Sequence, residues 1–257
     1  CIFEVIFGFN TLGFSTTLPG RVASFFGEEL IVGAFVYGFA LFFIGYLINN
    51  NSNKLIVGIC ISSIVITSFL IGERSNFLKL FISIVIFSFI VFRIGYIKKI
   101  VFFLILMVSM IGALNLSKDY KHRYFGQIEN LYKENGFVNY YKNSEYGAHY
   151  NAAIKIFIEY PLFGVGIKNF RLESGKEKYI NKKFKRTNSR QTTHPHQVHL
   201  EFLSETGIVG YFSFLLFIIY SLSISFKNYL RYKNIFQLSS IIFIIISLIP
   251  ILPSGSF

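Results

Sequence analysis

The stretch "TTHPHQVHLEFLSETGIVG", residues 192–210, gathers His194, His196 and His199 ahead of Glu205 and two glycines, just before an apolar run. It holds three of the chain's five histidines. An imidazole titrates near neutral pH, so histidines grouped near a carboxylate are the residue types of general acid–base work. Thr193 is a capping residue and Pro195 suits a first turn, so the pattern predicts a helix from there to Glu205, loosened at Gly207. At about 100° per residue, that helix sets His196, His199, Leu200, Leu203 and Gly207 on one face. His194 and His196 then lie at its N-terminus, where free N–H groups favour an anion and hold an imidazole neutral. His196, with His194 beside it, becomes a candidate general base near a bound phosphate. Glu205 falls nearly opposite His196 on the wheel, which points to orienting a neighbouring loop or arginine rather than to a direct dyad.

Two other readings stand beside this one. His194, His196 and His199 have the compact spacing of zinc ligands with an acid supplied from elsewhere, but lack the i, i+4 pair with an intervening Glu. They also fit polar residues at a membrane surface with no chemistry at all. A second constellation is "GERSNFLKL", residues 72–80, where Arg74 stands at the mouth of two apolar runs. A guanidinium there binds a phosphate or diphosphate bidentately, or a lipid headgroup. Arg21 in "PGRVASFFGEEL" and Arg123 in "KDYKHRYF" are similar candidates. Glu28 and Glu29 are paired carboxylates, but adjacent helical residues point about 100° apart, which favours a solvated interface.

These residues must be positioned by membrane helices. The 257 residues are 53% hydrophobic and 19% aromatic, with mean hydropathy +0.53, too apolar for an ordinary soluble domain. Six apolar stretches, 30–48, 55–71, 77–92, 100–116, 208–225 and 235–252, come close to the roughly 20 residues that cross a bilayer as a helix. The expected fold is an all-α polytopic membrane protein with about six spans in a single membrane domain over 1–257. Arg74 and Lys79, at the start of the third stretch, are expected to snorkel to the interface. The chain opens on Cys1 and stops just after an apolar run, which reads as a piece of a longer protein. Neither Cys1 nor Cys60 supports a disulfide framework or a thiolate metal site.

The short connections carry Lys54, then Arg93, Lys98 and Lys99, then Lys227, Arg231 and Lys233, against Arg21 and Arg74 in the alternate segments. This bias marks the cytoplasmic side and turns 117–205 outward. That long loop holds all five histidines, including His122 and His149, with 15 Lys/Arg and 9 Asp/Glu. Within it, "EYGAHYNAAIKIFIE", 145–159, has helical spacing and predicts an amphipathic helix lying on the membrane. "PLFGVGIKNF" reads as a glycine-rich turn, and 174–190 as a lysine-rich, mobile segment. A charge of +12 then points to membrane lipids and phosphate-bearing partners rather than nucleic acid. The spans hold almost no paired polar groups at mid-depth, which weighs against a transporter. A sensor whose loop binds a ligand without chemistry stays open.

"THPHQVHLEFLSETGIVG" resembles the signature of the bacterial O-antigen ligase/polymerase family: a His-x-His-Asn stretch, a Leu, then Glu-x-Gly and Gly at the start of a membrane helix. "EYPLFGVGIKNFR" is similar to that family's Pro-Leu-x-Gly-x-Gly-x-x-x-Phe stretch, and "ERSNFLKL" to its Arg-x-x-x-Leu motif. "GRVASFFGEELIVGAF" resembles the Arg-x-x-x-x-Phe-Gly-Asp-Glu segment of polymerase-like members. The four motifs stand in family order over roughly residues 15–215, with an O-antigen ligase-related core expected at 55–218. The resemblance implies an inverting glycosyltransferase of C-type-like membrane architecture in the bacterial inner membrane, its site on the extracytoplasmic side. The implied donor is a polyprenyl-diphosphate-linked oligosaccharide; the implied acceptor is a carbohydrate, on a lipid-linked glycan or on lipid A core. No cofactor and no metal are implied. Carried over by position, His196 matches the catalytic-site histidine, Arg74 the diphosphate-binding arginine and Arg123 a second arginine. Gln197 stands where Asn is usual and His199 where Tyr is frequent; these two, with Arg171, are candidates for positioning the acceptor or the loop.

Overall fold

A computed structural model of the chain describes residues 1–15, 18–29, 31–114, 118–134, 136–250 and 252–253. Among them there is no strand. The helices are α1 (Ile2–Phe7), α2 (Val32–Asn49), α3 (Lys54–Ile71), α4 (Arg74–Val91), α5 (Tyr96–Leu114), α6 (Lys118–Lys133), α7 (Phe137–Asn143), α8 (Glu145–Glu159), α9 (Phe170–Glu173), α10 (Val198–Tyr232) and α11 (Ile235–Ser247), with 3₁₀ turns at Ser24–Glu29, Glu177–Tyr179 and Thr187–Arg190. They form two compact units, one of Cys1–Gln127 with Ser225–Ser247, the other of Ile128–Ile224 with Leu248–Phe257.

In the first unit, α2, α3, α4 and α11 pack together. The first three have 18 residues each, about 27 Å of helix at 1.5 Å per residue, close to the thickness of a hydrocarbon core. Only 33–39% of each is buried, and Phe35, Phe39, Phe43, Ile56 and Ile59 face outward. Lipid supplies the missing cover at no cost in exposed apolar surface. With α10, four described helices are long and apolar enough to cross a membrane. The fourth expected stretch forms α5, and its last residues, 115 and 116, lie outside those described. The sixth is shorter than expected: α11 ends at Ser247, ahead of Pro250, after 13 residues, about 20 Å.

Only Gly72 and Glu73 separate α3 from α4, so Arg74 falls in the first turn of α4 rather than ahead of it. Glu73 is 8% exposed and fully engaged. Its Oε1 accepts the Gly33 N–H at 3.0 Å and faces Arg21 at 3.3 Å, while Oε2 accepts the Asn76 amide at 2.6 Å. Gly33 must be glycine, because a Cβ there would stand 2.6 Å from the Glu73 carboxylate. Glu4, also buried, accepts the N–H groups of Ala23 and Ser24 at 2.7 and 2.8 Å, so two carboxylates fasten the segment that leads into α2. Lys79 does not snorkel as expected: its side chain is packed inside the unit, 5% exposed, because α4 begins a turn before the apolar stretch does.

In the second unit, α8 has the bounds the sequence predicts; one of its faces packs on protein, while Ile154 and Ile158 stay exposed. Ala152, Ala153 and Ile156 form a core with Phe170 and Tyr179, against which Val165 and Leu200 pack. Segment 174–190, expected to be mobile, is tied to this core through Tyr179 and by hydrogen bonds of Arg190. Arg190, buried, donates to the carbonyls of Thr187, Gly175 and Lys176. The Tyr179 hydroxyl lies between Glu159 and Glu173, at 2.7 and 2.9 Å, and Lys178 pairs with both carboxylates.

Replacing Glu73 by alanine leaves the Gly33 N–H and the Arg21 guanidinium without their buried acceptor. A loss of about 3 kcal/mol is expected, seen as a lowered midpoint of thermal unfolding in detergent; a variant as stable as the wild type would show that Glu73 carries no such role.

Candidate active site

The histidine stretch is built on an interrupted helix. Gly207 divides α10, with φ 65° and ψ −166°, a region open essentially to glycine alone. Such a break strands carbonyls on one side and N–H groups on the other. The glycine-rich turn 161–166 supplies partners for both. Val165 and Gly166 donate to the carbonyls of Ser204 and Glu205 at 3.0 and 2.8 Å, and Ile208 and Val209 donate to those of Pro161 and Leu162 at 2.8 and 3.2 Å. The fit leaves no room for side chains: a Cβ on Gly164 would stand 2.3 Å from the Glu205 carbonyl carbon, and one on Gly207 2.3 Å from the Leu162 oxygen. The Glu205 side chain, 4% exposed, continues the clasp by accepting the N–H groups of Lys168 at 2.8 Å and Phe170 at 3.2 Å. Glu205 therefore holds a loop, and its oxygens face backbone rather than His196. Lys168 reaches Glu201 at 3.5 Å.

At the other end α10 starts at Val198, not after Thr193. His196 has φ +57°, a left-handed conformation that costs a non-glycine residue roughly 1–2 kcal/mol and that no helix continues through. Gln197 caps instead: its Oε1 accepts the Leu200 N–H at 2.6 Å, and its backbone carbonyl accepts from Glu201 at 2.9 Å. Its amide also donates to the Pro250 carbonyl at 3.4 Å. His194 and His196 consequently precede the helix rather than forming its first turn.

The histidines that meet are not the three the spacing suggests. His196 lies between His194, at 4.2 Å between ring centroids, and His149 of α8, at 5.4 Å, with Tyr146 edge-on at 5.6 Å. His199 points elsewhere. One ring nitrogen meets the Leu248 carbonyl at 2.8 Å and the other the Tyr211 hydroxyl at 3.0 Å. A carbonyl only accepts, so Nε2 carries the proton and Nδ1 accepts from the tyrosine. With both nitrogens engaged, His199 is a tie rather than a metal ligand. Among the described residues no group of three His, Cys, Asp or Glu is placed to hold a metal ion.

Burial, helped by the neighbouring His194 and His149, pushes the His196 imidazole down to about 4. The depression expected from a helix dipole is thus produced by desolvation. Burial also lowers His149, against the raising effects of a hydrogen bond to the Ser189 backbone and of Glu145. Its Nδ1 is buried with no hydrogen-bond partner. The sequence signal for His149 is a polar residue on the small-residue face of α8, among Gly147, Ala148, Ala152 and Ala153. Thr193 and His194 are joined side chain to side chain at 2.9 Å. The Arg171 side chain is exposed, and its carbonyl accepts from Gln191 at 3.5 Å.

The candidate diphosphate-binding arginines, Arg21, Arg74 and Arg123, belong to the first unit. Arg74 donates to the Arg123 carbonyl at 2.8 Å, and Arg123 to the Gly72 carbonyl at 3.0 Å, so the two guanidinium-bearing residues are tied around the α3–α4 corner. Tyr120 and Tyr124 of α6 fasten that corner through the carbonyls of Leu70 and Phe69, at 2.6 and 2.5 Å. Arg21 differs, being paired with Glu73. The Glu28 and Glu29 side chains lie outside the described residues.

Apolar helices of membrane-crossing length and a folded, histidine-bearing segment define a helical membrane protein with a candidate acid–base site. Residues 59–215 match the O-antigen ligase family, and the chain belongs to it. It is thus a membrane glycosyltransferase of O-antigen ligase/polymerase type, a class that works on lipid-linked glycans. No curated protein matches the chain. The matched span includes Arg74, Arg123, the 161–166 turn, the histidines and Gly207; Arg21 lies before it.

Gly207→Ala forces both a forbidden backbone and a clash with Leu162. The 161–166 turn should detach, read as new protease cleavage near residues 162–168 and loss of glycan transfer; an intact, active variant would contradict the clasp. The neutral imidazole gives a second expectation. An essential base with its ordinary 6.5 lowered to about 4 stays unprotonated as pH falls, so kcat/KM should hold from pH 7 to about 5 and decline around 4. His149→Gln should move that limb upward. A wild-type limb at 6.5 would remove His196 as the titrating base.

Proposed function

We propose that the protein transfers a glycan from a polyprenyl diphosphate to a carbohydrate acceptor at the extracytoplasmic face of the bacterial inner membrane, with no metal. The observation that carries this reading is the placement of His196, strained in its backbone, half-buried and flanked by His194 and His149. In the reaction the acceptor hydroxyl oxygen forms a bond to the anomeric carbon as the bond from that carbon to the diphosphate oxygen breaks. The hydroxyl proton passes to His196, the bonding pair leaves with the diphosphate, and the anomeric centre inverts. His194 adjusts the basicity of His196, and Glu205 holds the loop beneath them. Arg74 and Arg123 neutralise the departing diphosphate, the service a metal ion performs elsewhere. Arg21, committed to Glu73, serves structure more than substrate. Gln197 and His199 place the segment that carries His196, and exposed Arg171 is a candidate for acceptor contact.

The segment "FGEELIVGAF" favours polymerisation of lipid-linked repeats over ligation to lipid A core. Its Leu30 lies outside the described residues.

The roles separate kinetically. With a lipid-linked donor, His196→Ala should lower kcat by 10²–10⁴-fold with donor affinity kept, on the scale of a lost general base. Arg74→Ala should instead weaken donor binding and slow the transfer. Cells carrying His196→Ala at normal protein level should lose polymer; unchanged glycan assembly would favour a sensor or transporter. In a deletion strain, single-repeat lipopolysaccharide identifies a polymerase and accumulated lipid-linked polymer a ligase.

A further inference from the structure

A cleft of about 250 Å³ opens in the first unit where the N-termini of α3 and α5 meet the C-terminus of α4. Arg74 begins α4, so this cleft belongs to the opposite end of the helices from the arginine pair. Ile61, Phe102 and Phe103 give it apolar walls, and Lys54, Lys98 and Lys99 stand around it. No Asp or Glu occurs in 49–58 or 88–103, and Arg93 adds a further exposed charge. Among the described residues neither Lys54 nor Lys98 has a carboxylate at ion-pair distance. Lys99 is held in place by the Phe89 carbonyl at 3.1 Å and by the faces of Phe89 and Tyr96. Ser88, 3% exposed, lines the cleft with a hydroxyl that has no hydrogen-bond partner. An apolar slot ending in fixed and mobile ammonium groups and a waiting hydroxyl matches an amphiphile with one chain and an anionic head.

We propose that this cleft binds one anionic phospholipid of the surrounding bilayer, its acyl chain between α3 and α5 and its phosphate at Lys54 and Lys98. The source is the bilayer rather than water because the neighbouring outward residues, Ile56, Ile59, Ile97, Ile100 and Leu104, are all apolar and exposed. Basic pockets between membrane helices on the positively charged side recognise lipid headgroups in this way. The assignment is independent of the chemistry proposed for His196.

The test uses the full-length protein in nanodiscs of phosphatidylcholine with a minor share of phosphatidylglycerol, and native mass spectrometry of the lipid it retains. One phosphatidylglycerol should be kept in preference to phosphatidylcholine. The double variant Lys54→Gln with Lys98→Gln should retain it about thirtyfold less well, the equivalent of ~2 kcal/mol at about 1 kcal/mol per lysine. Gly58→Leu, at a position where a Cβ meets nothing within 4 Å, should fill the slot and exclude the lipid. If that variant misfolds, the exposed lysine pair still decides. Equal retention of both lipids, wild-type retention by the lysine variant, or displacement by equimolar polyprenyl phosphate would each overturn the assignment.

Discussion

The second unit depends on the interruption of α10 at Gly207. A continuous helix would satisfy its own backbone and offer the glycine-rich turn nothing to hold. Broken, it presents two stranded carbonyls and two stranded N–H groups, and 161–166 meets all four while Glu205 fixes the N–H groups of Lys168 and Phe170. Buried backbone groups cannot remain unpaired without a cost of about 1–3 kcal/mol each. Turn and break therefore exist only together, and the glycines at 164 and 207 are required by contact from both sides. The clasp fixes Val165 and Phe170 against α8, which brings His149 to the histidine stretch.

What that frame delivers is an imidazole kept neutral by its surroundings. A helix terminus depresses a histidine through the field of its N–H groups, which also attracts an anion to the same spot. Desolvation lowers the imidazole without drawing an anion to the same spot. The left-handed backbone at His196 is what keeps it out of α10, and Gln197 takes over the cap with a longer side chain than the usual Asn or Ser. The cap and the ties of Gln197 to Pro250 and His199 to Leu248 secure the start of α10 from outside the loop.

The sequence carried the helices well where one physical rule dominates. Long uncharged runs gave α2, α3 and α4, and helical spacing between Ser144 and Pro161 gave α8 to the residue. Rules failed where long-range contact decides. Thr193 is a better intrinsic cap than Gln197, yet a positive φ at His196 overrides it, and nothing in the local sequence announces that angle. The sixth apolar run promised a full span, but Pro250 ends helix propagation early. Segment 174–190 looked mobile from its lysines, because composition counts charges and not the carbonyls and carboxylates that meet them. His149 was not joined to the histidine stretch, since it is some 47 positions from His196 and only the fold brings them together. Glu205 was legible as a loop-holding carboxylate because the helical wheel excluded a dyad with His196, an argument that needed no partner to be identified.

The same distinction governs how a basic protein handles anions. Net charge draws phosphate to the surface, but a cation already facing a carboxylate presents little field to a ligand. Arg21 is spent on Glu73, and Lys178 on Glu159 and Glu173. Arg190 is enclosed by three carbonyls and buried, so its charge orders 174–190. Arg74 is treated differently: it donates to a backbone carbonyl, that of Arg123, which orients the guanidinium without cancelling its charge. Anion recognition in general favours that combination, because an arginine free to rotate loses entropy on binding and one already neutralised gains little. Selection among the 25 cations is thus made by the acceptors placed beside them and by burial: a carboxylate cancels the charge, as at Arg21, and enclosure by carbonyls hides it, as at Arg190, whereas one carbonyl at a part-exposed guanidinium leaves it able to receive an anion.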